Sequence, residues 1–106
     1  MLTISAVSRQ YVQAAVTGTV QGSPYNPTAD PVKFAFIVGP DNPTSGQWVS
    51  GSWDGTTARP DGSYRAQCLI GPGGTTTLTA GTYTMWIQIT DNPEIPVINV
   101  GLLTIT

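Results

Sequence analysis

The sequence contains no histidine and only one cysteine, Cys68. Because histidine is the commonest general base and metal ligand, its absence removes Ser-His-Asp and Cys-His arrangements and leaves no usual set of zinc ligands. One cysteine cannot form an intramolecular disulfide, so we expect packing alone to stabilise the fold. Cys68 lies in the alternating run Tyr64–Ile70, which predicts a buried, inert thiol; a metal-binding or nucleophilic thiol is the alternative.

Charged side chains are also scarce, at 9% of residues against a usual figure of about 25%. The net charge is −2, and the four cations are scattered along the chain at Arg9, Lys33, Arg59 and Arg65. This pattern provides no basic surface, so we expect no nucleic-acid partner. A surface of small polar residues suits a protein that stays in contact with neighbours, although secreted β-modules share it.

Long apolar runs are missing too. No run approaches the roughly 20 residues that a membrane-spanning helix needs, so we expect no membrane partner. The start of the chain lacks the basic and apolar regions of a secretory signal. Its 106 residues predict a single domain, 1–106, and strand-like sequence at both ends is expected of a complete small gene product.

Most of the sequence alternates apolar and polar side chains with a period of two, and no stretch shows the helical period. The clearest half-buried strand of the first half is Val32–Val38. Another strand is predicted over Gln47–Asp54, with Gly51 as a bulge because interior glycine weakens regular pairing. Gly71–Gly74 predicts a tight turn. About seven short strands separated by turns predict an all-β fold, an antiparallel sandwich of two sheets.

The segment Gly81–Thr90 predicts a strand whose inward face carries four alternate residues. These are Tyr83, Met85, Ile87 and Ile89. In immunoglobulin-like sandwiches a tyrosine near the start of the sixth strand precedes an inward core residue by two, and Tyr83 and Met85 have that spacing. We therefore predict an immunoglobulin-like sandwich. The closing strand changes its apolar face between Gly101 and Leu103, which predicts a bulge or a strand shared between both sheets.

All six carboxylates lie in predicted loops or corners, beside glycine, proline or asparagine. They are Asp30, Asp41, Asp54, Asp61, Asp91 and Glu94. We interpret them as turn-forming residues. Loop-built calcium binding is the alternative, without EF-hand spacing, and nothing selects two of them as a glycosidase pair. We predict no catalytic residue, no metal ligand and no cofactor, and hence a protein that is not an enzyme.

The three tryptophans are the candidate interface residues. Trp86 alternates with the inward residues of its strand, so its indole is predicted on the outer face of a sheet. Trp48 and Trp53 differ in parity, so at least one points outward unless Gly51 resets the phase. Such a tryptophan is most often partly covered by loops; otherwise it anchors a protein interface or stacks on a sugar. Among these functions we favour the interface, because no ring of polar groups accompanies the tryptophans in the sequence.

The segment from Ala58 to Val97, and above all Gly71–Val97, resembles small structural proteins of tailed bacteriophages, particularly those that infect actinobacteria. Asn26–Pro40 resembles the early strand pair of phage immunoglobulin-like and baseplate-associated modules. The resemblance implies a non-enzymatic virion protein, made in the bacterial host cytoplasm and placed as a capsid decoration or head-to-tail connector component. It implies other virion proteins as partners (major capsid, portal or tail components) and multiple copies in a symmetric assembly.

A different class of function stays open on the residues. A carbohydrate- or cell-surface-binding module of a phage or bacterium would use Trp48, Trp53 or Trp86 as stacking surfaces and aspartate-rich loops for calcium. An enzyme or an enzyme inhibitor has no positive support in the sequence.

Overall fold

The structure is a computed structural model that describes residues 2–16, 19–20, 23–24, 27–55, 60, 62–90 and 95–106. Strands joined by turns, with two short 3-10 helices, make up this part of the chain. The strands are β1 (Leu2–Ile4), β2 (Gln10–Val16), β3 (Thr19–Val20), β4 (Ser23–Pro24), β5 (Val32–Ile37), β6 (Val49–Ser50), β7 (Ser52–Trp53), β8 (Tyr64–Ile70), β9 (Gly81–Ile89) and β10 (Val97–Ile105).

Two sheets pack together around one core. The larger sheet has the order β1-β10-β9-β5-β6 and the smaller one β2-β8-β7, while β3 and β4 form a two-stranded pair. Neighbouring strands are antiparallel except β1 and β10, which run parallel. Buried apolar side chains from both sheets form one cluster, whose fully covered members include Phe34, Ile87, Leu103, Val12 and Cys68. The predicted all-β sandwich is confirmed, with five and three strands in its two sheets.

Strand β9 is central to the larger sheet and follows its predicted alternation. Tyr83, Met85, Ile87 and Ile89 are all buried in the core. Trp86 is partly buried on the opposite face, between its strand neighbours on β10 and β5. The period-two pattern therefore determines which face of the sheet carries this indole.

Strand β5 differs from the predicted half-buried strand. It ends at Ile37, and Val38, which the pattern predicts on the buried face, is 73% exposed. Ala35 and Ile37 lie on the opposite face and are nevertheless buried. The loop after β5 turns back over this face, where Thr84 Oγ1 donates a hydrogen bond of 3.2 Å to Gly39 O. Alternation missed this second buried face because a loop, and not a sheet, covers it.

The prediction of one strand over Gln47–Asp54 is wrong. The segment forms two strands in different sheets, since β6 pairs with β5 and β7 pairs with β8. Gly51 lies between them, and its N–H donates to Val32 O at 3.0 Å. A Cβ atom at Gly51 would lie 2.7 Å from Phe34 Cδ1 and 3.0 Å from Gln67 O. The chain therefore changes sheets at a position where a side chain has no room.

Strand β10 contains a bulge, just before the predicted position, and stays in one sheet. Its register with β9 shifts between Asn99 and Gly101. Gly101 has φ of +118°, and its N–H donates to Asn99 Oδ1 at 2.9 Å. Strand β1 pairs with β10 only over Leu103–Ile105. Among the described residues, the stretch Val97–Leu102 therefore has a strand partner on one side alone, and we call it the free edge of β10.

The turn Gly71–Gly74 is also present as predicted. Gly74 N–H donates to Gly71 O at 2.9 Å, and Gly73 has φ of +80° directly after Pro72. This combination is a type II turn, in which proline precedes a glycine of positive φ. The predicted corner at Asp91–Pro93 lies outside the described residues.

Candidate interaction surface

The carboxylates that the structure describes, Asp30, Asp41 and Asp54, all lie in turns or loops, as predicted. Asp54 Oδ2 accepts a hydrogen bond of 3.2 Å from Gln13 Nε2. Asp30 follows a 3-10 helix, and Asp41 is exposed in the loop after β5. Within the described residues, no group of three or more His, Cys, Asp or Glu side chains stands close enough to hold a metal ion. Three further carboxylates lie outside those residues: Asp61, Asp91 and Glu94.

Cys68 is buried, as its place in an alternating strand predicts. It is 1% exposed, and its Sγ lies 3.8 Å from Ser50 O. Burial raises the pKa of the Cys68 thiol to about 11, because removal from water disfavours the thiolate. The thiol is therefore protonated near neutral pH and packs as a small apolar side chain.

Trp53 is the candidate interface residue that the structure places against the core. Its ring packs on the core cluster, and its Nε1 donates a hydrogen bond of 2.9 Å to Asp30 O. Both the apolar and the polar part of this side chain thus have partners within the chain. A role of Trp53 in an interface stays a prediction. Its contacts within the chain are enough to explain a tryptophan at this position.

Trp86 and Trp48, in contrast, lie together at an open groove of about 500 Å³ on the outer face of the larger sheet. The loop between β5 and β6 contributes one side of the groove, and β9 and β10 contribute the other. Its lining residues are Asn42, Pro43, Ser45, Trp48, Trp86, Gln88 and Val97. We call this site the tryptophan groove.

Local hydrogen bonds organise the loop side of the tryptophan groove. Thr44 N–H donates to Gln47 Oε1 at 2.8 Å, and Gln47 N–H donates to Thr44 O at 3.0 Å. The Thr84 bond to Gly39 attaches the same loop to β9. The groove is therefore formed by the folded chain before any ligand arrives.

Trp86 presents carbon atoms of its indole ring to the groove, and its N–H donor is not available there. Its side chain is partly exposed, but its Nε1 is buried and has no hydrogen-bond partner among the described residues. The polar residues among the lining are Asn42, Ser45 and Gln88. The sequence did not reveal these polar residues beside Trp86, because two of them come from the loop and not from its strand.

A row of exposed apolar side chains adjoins the groove. Ile95, Val97, Ile98 and Leu102 are each between 42% and 50% exposed, and the last three belong to the free edge of β10. Val97 also lines the tryptophan groove, so edge and groove share a boundary. Val97 and Leu102 lie on the outer face, whereas Ile98 lies opposite Ile87 on the inner face, so apolar side chains are exposed on both sides of the free edge. Concentrations of large exposed apolar groups mark interaction sites on soluble proteins.

Parity in the sequence found the outward position of Trp86 but not its partners. The groove depends on the loop Val38–Trp48, which has no periodic pattern to reveal which sheet face it covers. Within the described residues, no helix combines the length and the apolar character needed to cross a membrane. Comparison with protein-family models, with curated proteins and with solved structures returns no match.

Proposed function

We propose that this protein is a non-enzymatic structural protein that works by contact with other proteins. The observation that carries the proposal is the free edge of β10, where exposed Val97, Ile98 and Leu102 flank backbone groups that have no strand partner within the described part of the chain. Native proteins usually protect such edges with charged side chains, prolines or bulges. This edge has a bulge at Asn99–Gly101 but carries no charged residue between Val97 and Leu102.

An edge of this kind suits a partner that adds a strand. Main-chain hydrogen bonds supply affinity in strand addition, and alternate side chains of the edge supply specificity. On β10 the residues Val97 and Leu102 lie on the outer face of the larger sheet, opposite Gln88 and Thr84 of β9. A partner would therefore contact the outer face and the edge at once.

The resemblance to phage structural proteins supports a location in the virion, as a capsid decoration or head-to-tail connector component. Partners would then be the major capsid, portal or tail proteins, with many copies in a symmetric arrangement. Mass spectrometry of density-purified virions of a phage that carries the gene tests this location. We expect a fixed copy number per particle; recovery only in the soluble lysate would exclude it.

We infer further that the sandwich is immunoglobulin-like. In that arrangement strands B, E and D form one sheet and C, F and G belong to the other. The orders β2-β8-β7 and β10-β9-β5 agree with it when these strands are matched in chain order. Tyr83 supports the same assignment, since its hydroxyl donates a hydrogen bond of 2.7 Å to Thr79 O just before β9.

A matched pair of variants tests the proposed surface. Leu102→Lys places a charge on the outer face beside the free edge, where Leu102 is 50% exposed. Tyr11→Lys changes a side chain of 51% exposure on the smaller sheet and serves as the control. In cosedimentation with particles that lack the protein, we expect Leu102→Lys to weaken binding about tenfold or more. Equal binding by both folded variants would contradict the proposed surface.

A further inference from the structure

We propose that the tryptophan groove binds a short, neutral carbohydrate, a ligand-binding role in addition to the proposed structural one. Its volume of about 500 Å³ falls within the range of small-molecule sites, about 300–1,000 Å³. Standard protein interfaces, in contrast, bury about 800 Å² of accessible surface on each partner and so extend well beyond one groove. The size of the site therefore favours a small ligand.

The charge of the lining selects a neutral ligand. The groove residues are two tryptophans, a proline, a valine, two amides and a serine, and none of them is ionisable near neutral pH. Two charged residues adjoin the lining without belonging to it: Lys33, the cross-strand partner of Gln88, and Asp41, which precedes Asn42 in the chain. A charged ligand would lose hydration on entry without gaining an opposite charge in the groove.

The hydrogen-bonding groups match hydroxyl groups. The side-chain amides of Asn42 and Gln88 each have N–H donors and a carbonyl acceptor. The hydroxyl of Ser45 can likewise both donate and accept a hydrogen bond. A sugar hydroxyl also donates and accepts, so each of these side chains finds a complementary partner on it. Because the Nε1 of Trp86 is buried, the part of this indole at the groove is carbon, which suits the apolar C–H face of a sugar ring.

A proline-rich peptide is the competing occupant, because such peptides also dock in aromatic-lined grooves. The backbone of a run of prolines presents acceptors and no N–H donors, since proline lacks an amide hydrogen. Its carbonyl groups would leave the acceptor oxygens of Asn42 and Gln88 unused and would find no donor on Trp86. The donor and acceptor content of the groove therefore favours a carbohydrate.

Titration of the full chain with neutral oligosaccharides tests this proposal. The probes are maltotriose, cellotriose and triacetylchitotriose, with a proline-rich decapeptide as the comparison, followed by calorimetry and tryptophan emission. We expect saturable binding of at least one of the three sugars that does not weaken as salt is raised. Trp48→Ala and Asn42→Ala should each weaken that binding about tenfold, equivalent to about 1.4 kcal/mol.

Two controls separate this site from the rest of the surface. Trp53→Phe keeps sugar affinity unchanged, because Trp53 packs on the core away from the groove lining. Leu102→Lys also keeps it, so a failure of the structural proposal leaves this result standing. The proposal is overturned if none of the three sugars binds, if only the peptide binds, or if binding survives both Trp48→Ala and Asn42→Ala.

Discussion

Among single residues, Tyr83 connects the turn before β9 to the core. Its ring is 7% exposed, and its hydroxyl donates to Thr79 O at 2.7 Å and lies 3.2 Å from Thr79 Oγ1. A buried phenol needs a hydrogen-bond partner, because an unsatisfied hydroxyl loses its hydration without compensation. Tyr83 thus supplies both apolar packing and one polar contact that fixes the approach to the strand.

We expect Tyr83→Phe to lower the free energy of unfolding by about 1 kcal/mol, since it removes this hydrogen bond and little volume. Urea unfolding followed by circular dichroism measures the change. Tyr11→Phe is the control, because Tyr11 is 51% exposed and an exposed change of this kind stays within about 0.5 kcal/mol. Equal stability of Tyr83→Phe and the unchanged protein would show that water replaces the bond at no cost.

Alternation predicted individual core residues well where a strand has one buried face. Tyr83, Met85 and Cys68 are buried at the positions that their parity indicates. It failed at Ala35, which is buried on the face that alternation assigns to solvent. Ala35 lies beside Trp86 of β9 on a face that the loop after β5 covers, and the alternation within β5 contains no information about either neighbour.

At the scale of elements, the passage from β6 to β7 joins the two sheets through one glycine. Gly51 approaches the ring of Phe34 and the backbone of Gln67 so closely that a Cβ atom would lie 2.7–3.0 Å from them. Phe34 is fully buried, so its ring has little freedom to move. The close approach, and not a special backbone angle, makes glycine the suitable residue there.

We expect Gly51→Ala to lower the free energy of unfolding by about 1–3 kcal/mol through this overpacking. Gly46→Ala is the matched control, because a Cβ atom at Gly46 has no neighbour within 4 Å in the described structure. Thermal and urea unfolding of the two variants measure the difference. If both variants lost the same stability, a general effect of replacing glycine would explain the result instead.

The sequence predicted some elements and missed others for a physical reason. Strands β8 and β9 are seven and nine residues long, enough for a period of two to be recognised. Strands β6 and β7 have two residues each, which is too few to show a period. The tryptophan groove combines β9 and β10 with the loop between β5 and β6, which has no period, so the sequence supplied its two indoles without their arrangement.

At the scale of the whole molecule, the two ends of the chain meet in one sheet. Strand β1 pairs in parallel with Leu103–Ile105, and Thr106 N–H donates to Ile4 O at 2.9 Å. Local pattern does not predict this pairing, because it joins residues about a hundred positions apart. Among the strand pairs that the structure describes, this one closes the longest loop and carries the largest loop-closure cost, so we expect it to form after the rest of the sheet.

A kinetic comparison of two isoleucines tests this order. Ile4 in β1 is 4% exposed and Ile87 in β9 is fully buried, so we expect replacement by alanine to cost about 2–5 kcal/mol at either site. If β1 docks late, Ile4→Ala should accelerate unfolding and leave the folding rate nearly unchanged, whereas Ile87→Ala should also slow folding. Stopped-flow measurements over a range of urea concentrations separate the two rates. If most of the stability loss of Ile4→Ala appeared instead as slower folding, the ends of the chain would meet before the rate-limiting step. The parallel pair would then direct assembly of the sandwich.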